Sequence, residues 1–202
     1  MKVTFSNPAQ PAKGIAVVFA AEGGKWTSTA AALDKKLKGS LKRAAKAASF
    51  EGKKKQTMTV LAPSGSSLDR VLCVGLGNPA DITAESMAEA GGAIYAALKG
   101  AGKSAAMYVD DVAKCKLSTT ECAANLAYGA NLRAYKFEKY KGKEKQDKNP
   151  GFEDLTVYCD GSASARTTYG KLAKIAEGVY FTRDLVSEPP NILYPAEFAK
   201  RL

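Results

Sequence analysis

The residues able to do chemistry in this 202-residue chain first limit what it can do alone. It has no histidine, which removes Ser-His-Asp and Cys-His catalysis and any histidine-ligated metal from the segment by itself. Four cysteines, Cys73, Cys115, Cys122 and Cys159, form no Cys-x-x-Cys pair, and three of them sit inside apolar runs. They read as structural thiols in a reducing compartment, not as disulfides or a zinc site. Asp110-Asp111 close a predicted strand, where an α/β sheet presents its ligand crevice and two carboxylates could meet a metal. With no third ligand beside them, they read instead as a solvated strand exit or a helix cap. Gly75-Leu-Gly-Asn-Pro-Ala80 follows an apolar run and precedes a helix, the setting of a dinucleotide-binding turn. Pro79 and the missing third glycine spoil that match, and no acidic residue closes a second strand at the required distance, so a tight strand exit is expected.

Charge supplies a second set of candidates. The formal net charge of +10 is concentrated in Lys35, Lys36, Lys38, Lys42, Arg43, Lys46, Lys53, Lys54 and Lys55, and again between Lys136 and Lys148. Such density can attract phosphate backbones or an acidic partner, so a nucleic-acid-binding module using Lys35, Lys36, Lys42, Arg43, Lys46, Lys53, Lys54 and Lys55 is the alternative function. The competing reading is a solvated lysine-rich face: arginine and aromatics are scarce in the first cluster, and Glu138, Glu144 and Asp147 interleave the second. Tyr135-Lys-Phe-Glu-Lys-Tyr-Lys141 could stack on a single strand, or could be an amphipathic edge with rings inward and lysines in water. Arg183-Asp184 lie on a helix, where neighbouring residues point about 100° apart and cannot simply pair with each other. Each is expected to bond outside its helix, for instance to chain beyond residue 202.

The elements that must carry these residues follow from periodicity. Val3 to Ser6 and Ile15 to Ala20 read as strands, expected to pair as an antiparallel hairpin across the turn beginning at Asn7. Thr27 to Ala48 is an Ala-, Leu- and Lys-rich helix with Leu33, Leu37 and Leu41 along one edge and a possible break at Gly39. Gln56 to Ala62 alternates as a strand. Asp69 to Gly75 is almost continuously apolar and is expected at the centre of the sheet. Thr83 caps a helix through Met87, Ile94 and Leu98. Ala105 to Val109 is a strand, and Ser118 with Glu121 forms a capping box for a helix reaching Arg133. The lysine-rich stretch 140 to 150 is a loop, and Leu155 to Cys159 a strand. A long helix from Ser162 repeats Leu172, Ile175, Ala176, Val179 and Val186 at helical spacing, and ends at Pro189-Pro190. Pro195 suits the first position of the next helix, with Glu197 in its first turn. This alternation predicts an α/β domain with a mixed, partly parallel sheet flanked by helices on both faces and followed by a long connecting helix. A helix begun at 195 and ended at 202 has little to pack on, so the chain reads as the front piece of something larger. No apolar run is long enough for a membrane span, and the amino terminus lacks the order of a signal peptide, so a cytoplasmic protein with no membrane partner is expected.

Thr182-Arg-Asp-Leu-Val-Ser-Glu-Pro-Pro-Asn191, followed by Tyr194-Pro-Ala-Glu-Phe-Ala199, resembles the junction segment of the leucyl aminopeptidases, or cytosol aminopeptidases. Val74-Gly-Leu-Gly77 and Tyr135 to Lys141 are similar to segments of that family's N-terminal domain. Ser187 stands where the family usually has Asn, and Tyr194 where it has Thr, which removes a helix-capping side chain. The resemblance implies a macro-domain-like N-terminal unit over residues 1–160, a connecting helix over 161–190, and the start of a catalytic domain over 191–202. Arg183, Asp184, Pro189, Pro190 and Asn191 are then the interdomain junction. It further implies a hexameric cytoplasmic parent that releases N-terminal residues from peptides, using two divalent metals, manganese or zinc. All of the family's metal ligands and catalytic residues lie in the C-terminal domain, so this segment is expected to hold no cofactor and no activity of its own. Its partners would be its own catalytic domain and the other subunits.

Overall fold

Strand β2 (Lys13–Ala21) is the axis of the molecule, with Ala16, Val17, Val18 and Ala20 wholly shut off from solvent. The computed structural model describes residues 1–142 and 151–202; residues 143–150 of the expected lysine-rich loop, with Glu144 and Asp147, lie outside them. Around β2 are laid β1 (Lys2–Ser6), β3 (Lys25–Trp26), β4 (Thr57–Leu61), β5 (Ser67–Gly75), β6 (Ser104–Val109) and β7 (Asp154–Cys159), in the order β1-β7-β6-β2-β5-β4, with β3 attached to β2. Strands β1, β7, β6, β2 and β5 run parallel; β4 is antiparallel to β5, and β3 to β2.

Two expectations need correction. The first two strands form no hairpin: β7 and β6 separate them, and β1 pairs in parallel with β7 from Lys2↔Asp154 to Ser6↔Tyr158. The linker between them carries Pro8 and Pro11, which cannot donate to a ladder. Phe5 instead buries its ring on Tyr169, 5.5 Å between centroids, fixing β1 as an edge strand. Nor is β5 the centre. It is an interior strand, buried from Val71 to Val74 and paired with β2 and β4, but it stands next to the edge strand β4, whereas β2 lies between β6 and β5. The alanines of β2 have weak strand propensity, so the sequence pattern understates that strand.

The helices cover both faces. Between Ser28–Lys36 (α1) and Ser40–Ala47 (α2) the expected break occurs, at Lys38 and Gly39, with φ of 50° and 77°. Left-handed backbone at two successive residues stops the helix, and Gly39 suits it for want of a Cβ. Buried Asp34 restarts it by accepting from the N–H groups of Leu41 and Lys42, at 3.0 and 3.1 Å, in the first turn of α2. These two helices bury Leu33, Leu37 and Leu41 against one face of the sheet. The other face is covered by α3 (Ala84–Ala97), α4 (Thr119–Ala134) and the first part of α5 (Ser162–Ser187). Capping boxes start α3 and α4: Thr83 with Ser86, and Ser118 with Glu121. Helices α3 and α4 cross with their backbones in contact. A Cβ on Gly91 would meet Leu126 O at 1.9 Å, and one on Gly129 would meet Ala88 O at 1.8 Å.

Candidate functional site

The corner where α5 leaves the domain gathers more side-chain bonds between separate elements than any sequence motif indicated. The amino-terminal half of α5 is anchored to β1: Arg166 donates to Phe5 O at 3.0 Å, Ser162 to Asn7 Oδ1 at 2.8 Å, and Ala165 is buried. Farther along, α5 closes the end of α4. The last carbonyls of a helix have no partner within it. Here Tyr180 Oη donates to Asn131 O, and Arg183 Nη1 donates to Leu132 O at 3.0 Å. The Arg183 guanidinium also stands 5.4 Å from the centre of the Tyr135 ring, within range of a cation–π contact. Tyr135 stacks obliquely on Tyr180 at 5.2 Å and donates its hydroxyl to Asp184 Oδ1 at 2.8 Å.

Glu188 forms the second half of the corner. It stands between α5 and Pro189, and the restriction that proline imposes on the preceding residue agrees with its extended backbone, φ −70° and ψ 137°. Its carboxylate accepts from Lys139 Nζ at 2.6 Å, from Tyr140 Oη, and from Arg201 Nη1 at 3.1 Å. The side chain is only 3% exposed although two of its partners are on the surface. The Lys139 bond foremost, then Tyr140, holds the carboxyl far below its ordinary value, at about 2, against a desolvation effect that raises it; Arg201 lowers it further. Arg201 also donates to Glu197 at 2.9 Å. One carboxylate thus ties three elements: the segment after α4, the end of α5, and α6 (Pro195–Arg201).

Arg183, Asp184, Pro189, Pro190 and Asn191 therefore fall at one corner. Pro189 and Pro190 end α5, Pro189 O accepts from Ile192 and Leu193 at 2.9 Å each, and exposed Asn191 lies in that turn. Arg183 and Asp184 bond outside their own helix, as expected, and the partners seen are Leu132 and Tyr135 of this chain. No motif marks Glu188 or Arg201 in the sequence, and Lys139 and Tyr140 belong to the stretch expected to be either a nucleic-acid stacking edge or an amphipathic edge. A glutamate placed just before Pro-Pro was the available signal. Around the corner, apolar side chains remain in water: Ile175 at 55% exposure, Phe181, Val186 at 82%, and then Tyr194, Phe198 and Leu202. A groove of about 390 Å³ passes between Phe137, Phe181 and Leu185.

The other candidates are accounted for structurally. Both oxygens of Asp110 are taken by Thr29, Oδ2 by its N–H at 2.8 Å and Oδ1 by its hydroxyl at 2.6 Å, in the first turn of α1. Among the described residues no group of three or more Asp, Glu, Cys or His side chains is placed to hold a metal, so these residues do not fit a two-metal centre. The turn after β5 is filled by the chain's own backbone: Gly77 N donates to Gly52 O at 2.9 Å, and a Cβ on Gly75 would lie 2.1 Å from Lys53 O. A dinucleotide phosphate would need that space. Within the basic cluster, Lys35 and Lys36 end α1, and Lys42, Arg43 and Lys46 lie exposed on α2. Lys53 pairs with Glu51 at 2.5 Å, and Lys54 and Lys55 face Glu89 at 2.8 and 3.9 Å, so part of the charge is met internally. No helix among the described residues is long and apolar enough to cross a membrane.

Comparison with known proteins gives this geometry its context. The model of the cytosol aminopeptidase family's N-terminal domain matches residues 17–144. A probable cytosol aminopeptidase of Rhodopseudomonas palustris (strain TIE-1) is 38% identical over 202 residues, covering all of this chain and 40% of that protein. A protein of the same description from Chelativorans sp. (strain BNC1) is 38% identical over 203 residues, covering 98% of this chain and 39% of the relative. The chain spans about two fifths of the length of these curated relatives. Among solved structures, a mutant of tomato leucine aminopeptidase superposes with a TM-score of 0.78 at 22% identity, covering 99% of this chain and 41% of that one. The bottromycin maturation enzyme BotP in complex with Mn gives 0.67 at 22% identity, covering 95% and 35%. At that identity the two structures speak to the fold alone.

Proposed function

The chain belongs to the cytosol aminopeptidase family, as its N-terminal domain, and on that premise we propose that it is the accessory and assembly domain of a metal-dependent leucyl aminopeptidase. The whole protein would be a cytoplasmic homo-hexamer that releases N-terminal amino acids from peptides. Two divalent ions, manganese or zinc, would polarise the scissile carbonyl and activate a water. The ligands of that pair would come from the part of the full-length protein that this chain, spanning about two fifths of its relatives, does not cover. Residues 1–160 form the accessory unit, 161–190 the connector, and 191–202 the entry to the catalytic domain.

The observation that carries this reading, beyond membership, is the junction itself. Tyr135, Arg183, Asp184 and Glu188 hold α5 and α6 in a fixed direction, while Ile175 and Val186 leave an apolar flank of α5 in water. Apolar surface held rigidly next to the exit of a domain is suited to burial by the domain that follows. Ile175→Asp with Val186→Asp tests this. In the 202-residue chain both positions are largely solvated, so its melting temperature should stay unchanged. In the full-length protein the pair should weaken interdomain docking, seen as faster hydrogen exchange in α5 and loss of hexamer on sedimentation. Unchanged exchange and assembly in the full-length variant would oppose the reading.

A further inference from the structure

Strand β4 ends the sheet on one side, and the backbone along its outer edge is unpaired. Gly75 N–H donates to Gln56 O and Ala62 N–H to Asp69 O, each at 2.9 Å. In an antiparallel ladder the bonding direction alternates, so Met58 and Val60 also face β5, while the N–H and C=O groups of Thr57, Thr59 and Leu61 point away from it. None of those outward groups meets a partner among the described residues. The three side chains are exposed as well, Leu61 at 63%.

The opposite edge is treated differently. At β1, Arg166 of α5 takes Phe5 O at 3.0 Å, and Ser162 holds Asn7 just beyond the strand. Sheets commonly blunt an open edge with charge, proline or a bulge. Strand β4 has no charged residue and no proline, and it pairs with β5 in unbroken register. The lysines just before it are balanced within the chain, Lys53 by Glu51 at 2.5 Å, and Lys54 and Lys55 by Glu89 at 2.8 and 3.9 Å. A second copy of β4 therefore meets no like charge along the ladder. Turned about a two-fold axis at Thr59, it sets Thr57 opposite the partner's Leu61 and Thr59 opposite the partner's Thr59. In that register each outward N–H faces an outward C=O, and the exposed threonines and Leu61 become cross-strand neighbours.

We propose that the β4 edge is a self-association surface, on which two copies of this chain pair antiparallel through Thr57–Leu61 and join their sheets into one. The contact is a symmetric dimer contact, the same strand serving on both sides. One five-residue strand pair makes a weak dimer, in the micromolar to millimolar range. The net charge of +10 on each copy opposes it at long range, so added salt should strengthen the pairing. The edge is distinct from the apolar flank of α5, and its pairing does not depend on the aminopeptidase reading; either can fail without the other.

Sedimentation equilibrium of the 202-residue chain over a concentration series tests this, with amide exchange followed by NMR on the same samples. The expected result is a reversible dimer, with the Thr57, Thr59 and Leu61 amides gaining protection as concentration rises. Thr59→Pro removes an outward N–H that the chain's own sheet does not use, and should raise the dimer Kd about tenfold or more. Thr59→Lys places two ammonium groups opposite each other and should also weaken the dimer, while an equimolar mixture of Thr59→Lys and Thr59→Glu should restore it. That rescue keeps the test open if the proline variant fails to fold. A chain that stays monomeric to millimolar concentration would overturn the proposal. So would a dimer that survives both Thr59→Pro and Thr59→Lys, one lost in Ile175→Asp with Val186→Asp, or one that weakens as salt rises, the mark of bridging by nucleic acid.

Discussion

Replacing Glu188 with glutamine keeps the shape of the side chain and removes the charge on which Lys139, Tyr140 and Arg201 converge. The folded carboxyl lies at about 2, below its ordinary 4.5, so the wild-type corner is fully stabilised above about pH 4.5 and loses that contribution as pH falls through about 2. The protection factors of the α6 amides, measured against the intrinsic exchange rate at each pH, should fall on acidification in that window, with those of β2 unchanged. Glu188→Gln should show the faster α6 exchange already at pH 6 and lose the acid step. Equal exchange in the two proteins at pH 6 would mean that the carboxylate does not hold the corner. At Asp34 the effect is on a helix start: Asp34→Ala leaves the N–H groups of Leu41 and Lys42 without their acceptor and should cost about 1 kcal/mol, read as a lower urea midpoint. The strand, helix and cap residues of this protein were largely legible in its sequence, because the capping boxes, the Gly39 break and the Pro-Pro stop act locally. Glu188 was not, since its partners at 139, 140 and 201 come together only through the tertiary fold.

Helices α3 and α4 owe their close approach to two residues without side chains. The Cβ of Gly129→Ala would need the place of the Ala88 backbone, 1.8 Å from its carbonyl oxygen, and backbone cannot move aside as a flexible side chain can. The substitution should lower stability by about 3 kcal/mol or more, observed as a fall in melting temperature. A substitution to alanine at Gly170, whose Cβ meets nothing within 4 Å on α5, should be neutral or slightly stabilising through helix propensity. Equal melting temperatures for the two variants would refute the backbone crossing. Strand order was less legible than strand existence. The chain's periodicity marks β1 and β2 as strands, but their separation by β6 and β7 depends on pairing with segments more than eighty residues away. Helical spacing likewise placed Ile175 and Val186 on one flank of α5, without disclosing that this flank faces water rather than the core.

At the scale of the molecule, one sheet covered on both faces supports a long helix whose far end is held by a network of tyrosines, arginines and one buried carboxylate. The fold class was readable because strands and helices alternate, and the family because the Arg183 to Asn191 segment and its flanks keep their order. What the sequence could not show was that the chemistry-bearing candidates inside the domain are already used. Asp110 holds α1, the Gly75 turn is filled by the Gly52 to Lys53 backbone, and three lysines of the basic cluster have carboxylates beside them. Peptide hydrolysis in the part of the full-length protein outside this chain is the proposal that follows from family membership. Its most direct test is the hydrolysis of leucine p-nitroanilide with manganese present, measured for the purified 202-residue chain and for the full-length protein at equal molar concentration. The account predicts metal-dependent turnover by the full-length protein and none above background by the chain; metal-dependent hydrolysis by the chain alone would contradict it.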